Sequence, residues 1–222
     1  MSDGTVNGPR RRYDNSGRAA RAAANRGAVL RAGRDVLVEK GYGGTTVAGI
    51  ARAAGVSVET VYKGFGSKRR LVWEILGNAV TGDDEPVALA ERPELRAALT
   101  AGSGADVLTA FAAASVAVLE RLGPLVGTIF LAARAGEPDL RGIADEAGRR
   151  RLVDLTAVAE AVAATGDLHP DLDVARAADV LWAVGSPEVY VQLTSERGWS
   201  DAEYHAWLVR SLHALLLRRP PD

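Results

Sequence analysis

The side chains best suited to chemistry crowd into one short stretch, and the chemistry is recognition rather than bond-breaking. Ser57 opens a helical segment, leaving free N–H groups there aimed at a phosphate or a base edge. Glu59, Thr60 and Lys63 fall on the outward face of that segment, with Tyr62 at its margin. A carboxylate such as Glu59 can accept from cytosine N4 in a major groove. Lys68 stands beside another helix start, where a cation is poor for the helix dipole and calls for an external anion. Arg69 and Arg70 are expected to be exposed and to add diffuse attraction.

Constellations for other chemistries are missing. There is no cysteine, which excludes thiolate metal sites and disulfides and fits a reducing cytoplasm. His169, His205 and His213 lack a carboxylate cluster and do not spell a metal site. The glycines at 41–44 and 102–104 lack a phosphate-loop pattern. Asp83, Asp84 and Glu85 read as a solvated charge run, and no Ser/His/Asp order suggests a nucleophile elbow. We therefore expect no enzyme and no cofactor.

The elements that must position the recognition residues are helices. Val29, Ala32, Gly33, Val36 and Leu37 make one helical stripe, which Gly41 ends. Thr45 or Thr46 then sits where an N-cap belongs. Val47, Ile50, Ala51 and Ala54 give a short second helix, and Gly55 turns the chain. Small Ala51 and Ala54 let the next helix approach, and Val56 plugs the gap. In that third helix Val58, Val61 and Phe65 are predicted to point inward. Ser67 caps a fourth, with Leu71, Val72, Ile75, Leu76 and Ala79 as its stripe. A short helix, a glycine turn and a second helix at a steep angle form the support that a major-groove helix needs.

Charge follows the same division. Residues 1–80 carry 14 Lys and Arg against 6 Asp and Glu, whereas residues 81–222 carry 13 against 22. A basic unit joined to an acidic one suits a nucleic-acid binder with a separate module. Residues 1–17 read as a disordered arm whose Arg10, Arg11 and Arg12 could touch DNA. No apolar leader is seen at Met1–Arg12 and no run of about 18 apolar residues exists, so neither secretion nor a membrane span is expected.

The run Gly41-Tyr42-Gly43-Gly44-Thr45-Thr46-Val47, then Ile50-Ala51 and Ala54-Gly55-Val56-Ser57, then Thr60-Val61-Tyr62, Phe65 and Ser67-Lys68 resembles the N-terminal domain of the TetR family of transcriptional regulators. The resemblance covers roughly residues 20–80. It implies that Thr46 and the start of the second helix hold a phosphate. It implies that Ser57, Val58, Glu59, Thr60 and Lys63 form the recognition surface, and that the Tyr62 hydroxyl and Lys68 ammonium grip backbone phosphates. Many relatives carry histidine where this chain has Gly64, which removes one possible phosphate contact.

The rest of the chain matches that family only in architecture. An acidic loop from Thr81 to Glu85, followed by Pro86, marks a boundary: 1–17 an arm, 18–80 the helix-turn-helix domain, 81–222 a helical effector-binding and dimerisation domain. Further helices are expected from Pro93 to about Ala101, Asp106 to Leu122, Pro124 to near Gly136, Pro138 to Ala164 with weak spots at Gly142 and Gly148, from Asp173, from Pro187 and after Ser200. Phe111, Ser115, Phe130, Leu155 and Trp182 could line a cavity or fill a core. A homodimer is expected through Ala177, Val180, Leu181 and Val184 against Tyr204, Trp207, Leu208, Leu212 and Leu215.

Taken together, the sequence predicts an all-α, cytoplasmic, DNA-binding regulator. The favoured form is a dimeric repressor released from a palindromic operator by an unknown small molecule. The alternative is a helical adaptor whose helix-turn-helix is architectural. A helical enzyme has little support.

Overall fold

The computed structural model describes residues 16–82, 99–100 and 102–218. Arg10–Arg12, the acidic loop at 83–86 and nearly all of the helix expected at 93–101 lie outside them. The described residues are helical, apart from turns and an isolated antiparallel bridge between Leu168 and Leu217.

Helix α1 (Ser16–Gly44) starts two residues before the expected arm ends, and it kinks at Gly41, whose φ is 67°. That backbone conformation is costly for any residue with a Cβ, which is why glycine ends the regular helix there. Thr45 folds back into the turn. Its hydroxyl donates to the Gly41 carbonyl at 2.6 Å, and the residue is 1 % exposed. Of the two candidate caps this leaves Thr46, which accepts from the Gly49 N–H at 3.0 Å and starts α2 (Val47–Ala53). Gly55, at φ 67°, makes the turn into α3 (Val58–Phe65), and Ser67 caps α4 (Lys68–Thr81).

The second unit is built on α5, which runs as Gly104–Leu125, a wide π-helical segment Val126–Leu131, and Ala132–Arg134. The expected break at Gly123-Pro124 does not occur. Proline removes one helical hydrogen bond, yet Leu122, Leu125, Val126 and Ile129 are all buried, so packing holds the axis. The wide segment directly after the proline is where the ladder is irregular.

Helix α6 (Pro138–Ala164) is continuous through Gly142 and Gly148. Helices α7 (Val174–Val184), α8 (Pro187–Val191, extended by the wide turn Gln192–Glu196) and α9 (Asp201–Leu216) complete the unit. Their N-caps are short-range and follow the sequence: Asp173, Ser186, and Ser200 with Glu203 in a reciprocal capping box.

Two buried clusters hold the fold. One joins α1–α4 to the end of α5 and the start of α6, through Leu122, Leu125, Val126, Ile129, Leu140 and Ile143. The other joins the first half of α5 to the second half of α6 and to α7, α8 and α9. The α5 stretch Gly104–Arg134 contains an 18-residue window of mean hydropathy 1.6 and is long and apolar enough, by length and composition alone, to cross a membrane. It holds no uninterrupted run of about 18 apolar residues, since Glu120 and Arg121 lie inside it. Thr109 and Ser115 interrupt the apolar run without lowering the average enough, and in the fold Val107, Leu108, Ala112 and Leu119 are core.

Candidate nucleic-acid interface and ligand cavity

Why does α3 present a face at all? Val61 and Phe65 are buried against the first cluster, and the Arg26 guanidinium lies 4.9 Å over the Phe65 ring. That anchors one side and turns Ser57, Glu59, Thr60, Tyr62 and Lys63 outward, all exposed. Val58 joins them at 41 % exposed, so its predicted inward direction is corrected. It sits one residue inside the helix, before the stripe reaches the core. The Ser57 hydroxyl accepts from the Thr60 N–H at 3.1 Å and lies 2.8 Å from the Thr60 hydroxyl. Glu59, Tyr62 and Lys63 bond to nothing else among the described residues, so their polar groups are available to a ligand.

Lys68 is placed differently from the expectation. Its ammonium donates to the Tyr42 carbonyl at 2.6 Å and lies 3.7 Å from the centre of the Tyr42 ring. Burial depresses its pKa, with Glu137 and Asp139 pulling the other way. The cation that was expected to seek an external anion is thus largely engaged by the protein itself. Arg70 pairs with Glu74 at 2.7 Å. Arg69 packs on Gly142, where an added Cβ would sit 2.6 Å from its Nη2.

These contacts reach the second unit. The Tyr42 hydroxyl donates to Asp139 at 2.8 Å, in the first turn of α6. At the other end of α4, Arg121 of α5 donates to the carbonyls of Ala79 and Val80 at 2.9 and 3.1 Å, satisfying acceptors that a helix terminus leaves open. Helix α4 is therefore held at both ends by the body it joins.

Between the two units lies a cavity of about 1190 Å³. Phe111, Ser115, Phe130, Leu155 and Trp182 all line it. So do Leu30 of α1 and Trp73 and Leu76 of α4, which the sequence reading did not include. Most of the charges around it are occupied. Arg26 pairs with Glu74 at 2.9 Å, Arg134 with Glu188 at 2.7 Å, and Arg150 with Glu146 at 2.9 Å. Arg151 donates to the Trp182 and Gly185 carbonyls at 2.9 and 3.0 Å and stacks 4.5 Å over the Trp182 ring. Burial brings its pKa down to about 10, with Glu188 opposing. Asp154 lines the cavity with no partner among the described residues, and burial alone pushes its pKa up. Asp154 and Arg151 were missed because charges on a long helix read as a solvated face.

The residues expected at a dimer interface divide. Ala177, Leu181, Tyr204, Leu208 and Leu212 are fully buried within the chain's own second cluster. Val180, Val184 and Trp207 are half-buried, and Leu215 is 49 % exposed. No group of three or more His, Cys, Asp or Glu that could hold a metal occurs among the described residues.

Residues 29–75 match the N-terminal domain described as bacterial regulatory proteins, tetR family. No curated protein matches the sequence significantly. Among solved structures, a TetR-family transcriptional regulator from Mesorhizobium loti is 26 % identical, with 87 % of this chain and 96 % of that one covered at a TM-score of 0.66. FadR of Bacillus subtilis, solved with stearoyl-CoA, is 18 % identical, with 83 % and 96 % covered at 0.67. A transcriptional regulator from Saccharomonospora viridis, solved with choline, is 19 % identical, with 87 % and 98 % covered at 0.65. A matched TetR-family DNA-binding domain, carried on a helical body that shares the fold of solved TetR-family regulators, supports reading this chain as a DNA-binding transcriptional regulator of that type.

Proposed function

We propose that the protein is a dimeric repressor that leaves a palindromic DNA site when a small molecule fills the cavity. The observation that carries this reading is the membership of the cavity wall. Leu30, Trp73 and Leu76 belong to helices of the DNA-binding unit, and Phe111, Leu155 and Trp182 to the body. A ligand there touches both, and it shifts the DNA-binding equilibrium by as much as it favours one arrangement over the other.

On the DNA side, α3 enters the major groove. Thr60 and Glu59 face base edges, with Ser57 and Val58 at the helix start. Tyr62 and Lys63 take phosphates, with Thr46 and the start of α2 beside them. The dimer uses the faces of α7 and α9 that this chain leaves uncovered, with Leu215 at 49 % exposed and Val180, Val184 and Trp207 half-buried at its edges. Two-fold symmetry then places the two recognition helices about 34–36 Å apart or a longer whole-turn spacing. The solved neighbours hold ligands as different as stearoyl-CoA and choline, so the fold does not choose the effector.

The test is footprinting on fragments flanking the protein's own coding region, alongside light scattering. Two symmetric half-sites per bound dimer support the reading. A single unpaired half-site, or a monomer at micromolar concentration, overturns it.

A further inference from the structure

Among the described residues, Asp154 is the one charge in the cavity wall that is both withdrawn from water and without a partner. It lies on α6, one turn from Arg151, yet the two make no ion pair. Arg151 is committed to the last carbonyls of α7. Arg26, Arg134 and Arg150 are committed to Glu74, Glu188 and Glu146. Arg141 and Asp145, also on the wall, are exposed to solvent and need no partner. A half-buried carboxylate without a counter-charge costs free energy in the empty protein, and a ligand that supplies the counter-charge recovers it.

Much of the rest of the cavity wall is apolar. Phe111, Leu155 and Val158 are buried, and no cation among the described residues lies on the Phe111 or Phe130 ring, whereas Trp73 and Trp182 are already covered by Arg150 and Arg151. A cavity that holds both free aromatic faces and a carboxylate attracts an organic cation in two ways, by the ring quadrupole and by the opposite charge.

Resting on the ligand reading above, we propose that the cavity takes an amphipathic cation, an amine or quaternary ammonium on an apolar body, with Asp154 as its counter-charge. The cationic head sits against the Asp154 carboxylate, and the apolar body lies along Phe111, Phe130 and Leu155.

The experiment uses the full chain and three probes of equal chain length below their aggregation limits: decyltrimethylammonium, decanol and decanoate. Binding is read by calorimetry and by the fluorescence of Trp73 and Trp182. The cation is expected to bind at least about tenfold tighter than either other probe, a unit charge pair in a partly excluded site being worth at least that much. Asp154→Asn should remove the preference so that the three bind alike, and Asp154→Glu should retain it. Decanol or decanoate binding as tightly as the cation overturns the proposal, as does an unchanged preference in Asp154→Asn. Failure of all three probes to bind overturns the ligand cavity itself, which separates that outcome from a wrong choice of charge.

Discussion

The Tyr42 hydroxyl donates a 2.8 Å hydrogen bond to the Asp139 carboxylate, tying the end of α1, just past its kink, to the first turn of α6. Burial, then the bond to Asp139, raises the pKa of that hydroxyl, so it remains a donor across the neutral range. The same tyrosine carries Lys68 on its carbonyl and its ring. One residue thus joins the start of α4 to the helix that walls the cavity.

Tyr42→Phe should keep the ring and the Lys68 contact and lose only the bond to Asp139. A hydrogen bond to a charged acceptor at a partly exposed site is worth about 1–2 kcal/mol, read as a lower urea midpoint. Operator affinity of the empty protein should change little, while release by ligand should weaken. Equal release in Tyr42→Phe and the parent would show that coupling does not use this bond.

Lys63 and Lys68 should behave differently on DNA. Lys63 is exposed and unpaired, so Lys63→Ala should flatten the salt dependence of binding by about one unit of slope. Lys68 is engaged by Tyr42, so Lys68→Ala should lower the melting temperature more than it changes the slope. Salt titrations and thermal melts of both variants check this; a full unit lost with Lys68→Ala and none with Lys63→Ala would reverse the assignment.

Ser57 and Thr60 act as a pair. Ser57→Ala removes the N-cap of α3 and should cost about 0.5–2 kcal/mol, felt first as fraying of that helix in hydrogen exchange. Thr60→Val keeps the shape and removes the hydroxyl. It should change preference among operator variants rather than affinity on random DNA, since base contacts carry sequence information and phosphate contacts do not.

Short-range features were legible in the sequence. Caps such as Thr46, Ser57, Ser67 and Ser200 follow from residues three positions apart, and the α2–α3 turn from Gly55. The apolar stripes of α7 and α9 were also legible, but periodicity says only that a face is covered, not by what. Tyr204, Leu208 and Leu212 were assigned to a second copy, and the chain's own α5, α7 and α8 cover them. The engagement of Lys68 by Tyr42 spans 26 residues and left no local signal. Pro124 misled for the opposite reason. Its local preference to end a helix is real, and packing on both sides of it is stronger.

Asp154 gives a stability prediction with a definite sign. Its pKa in the fold is raised by burial above the ordinary carboxylate value, so folding favours the protonated form. Its contribution is fully present at acid pH and is lost as pH rises through the raised value. At pH 7 Asp154→Asn should therefore melt higher than the parent, and the gap should close as pH falls into the carboxylate range. A gap that widened on acidification would mean that the carboxylate has a stabilising partner.

The buried cluster that runs from Val29 and Ile50 through Leu71 and Ile75 to Leu125, Ile129 and Leu140 has a consequence for modular exchange. A graft that moved only residues 18–81 to another helical body would expose the apolar seats of Leu122, Leu125, Val126 and Ile129, and the recipient's residues would have to refill them shape for shape. The transferable cassette is discontinuous: α1–α4 together with the end of α5 and the first turns of α6. Chimeras cut along that seam should inherit both the DNA preference and the hinge that controls it, whereas those cut at the linker should inherit neither intact.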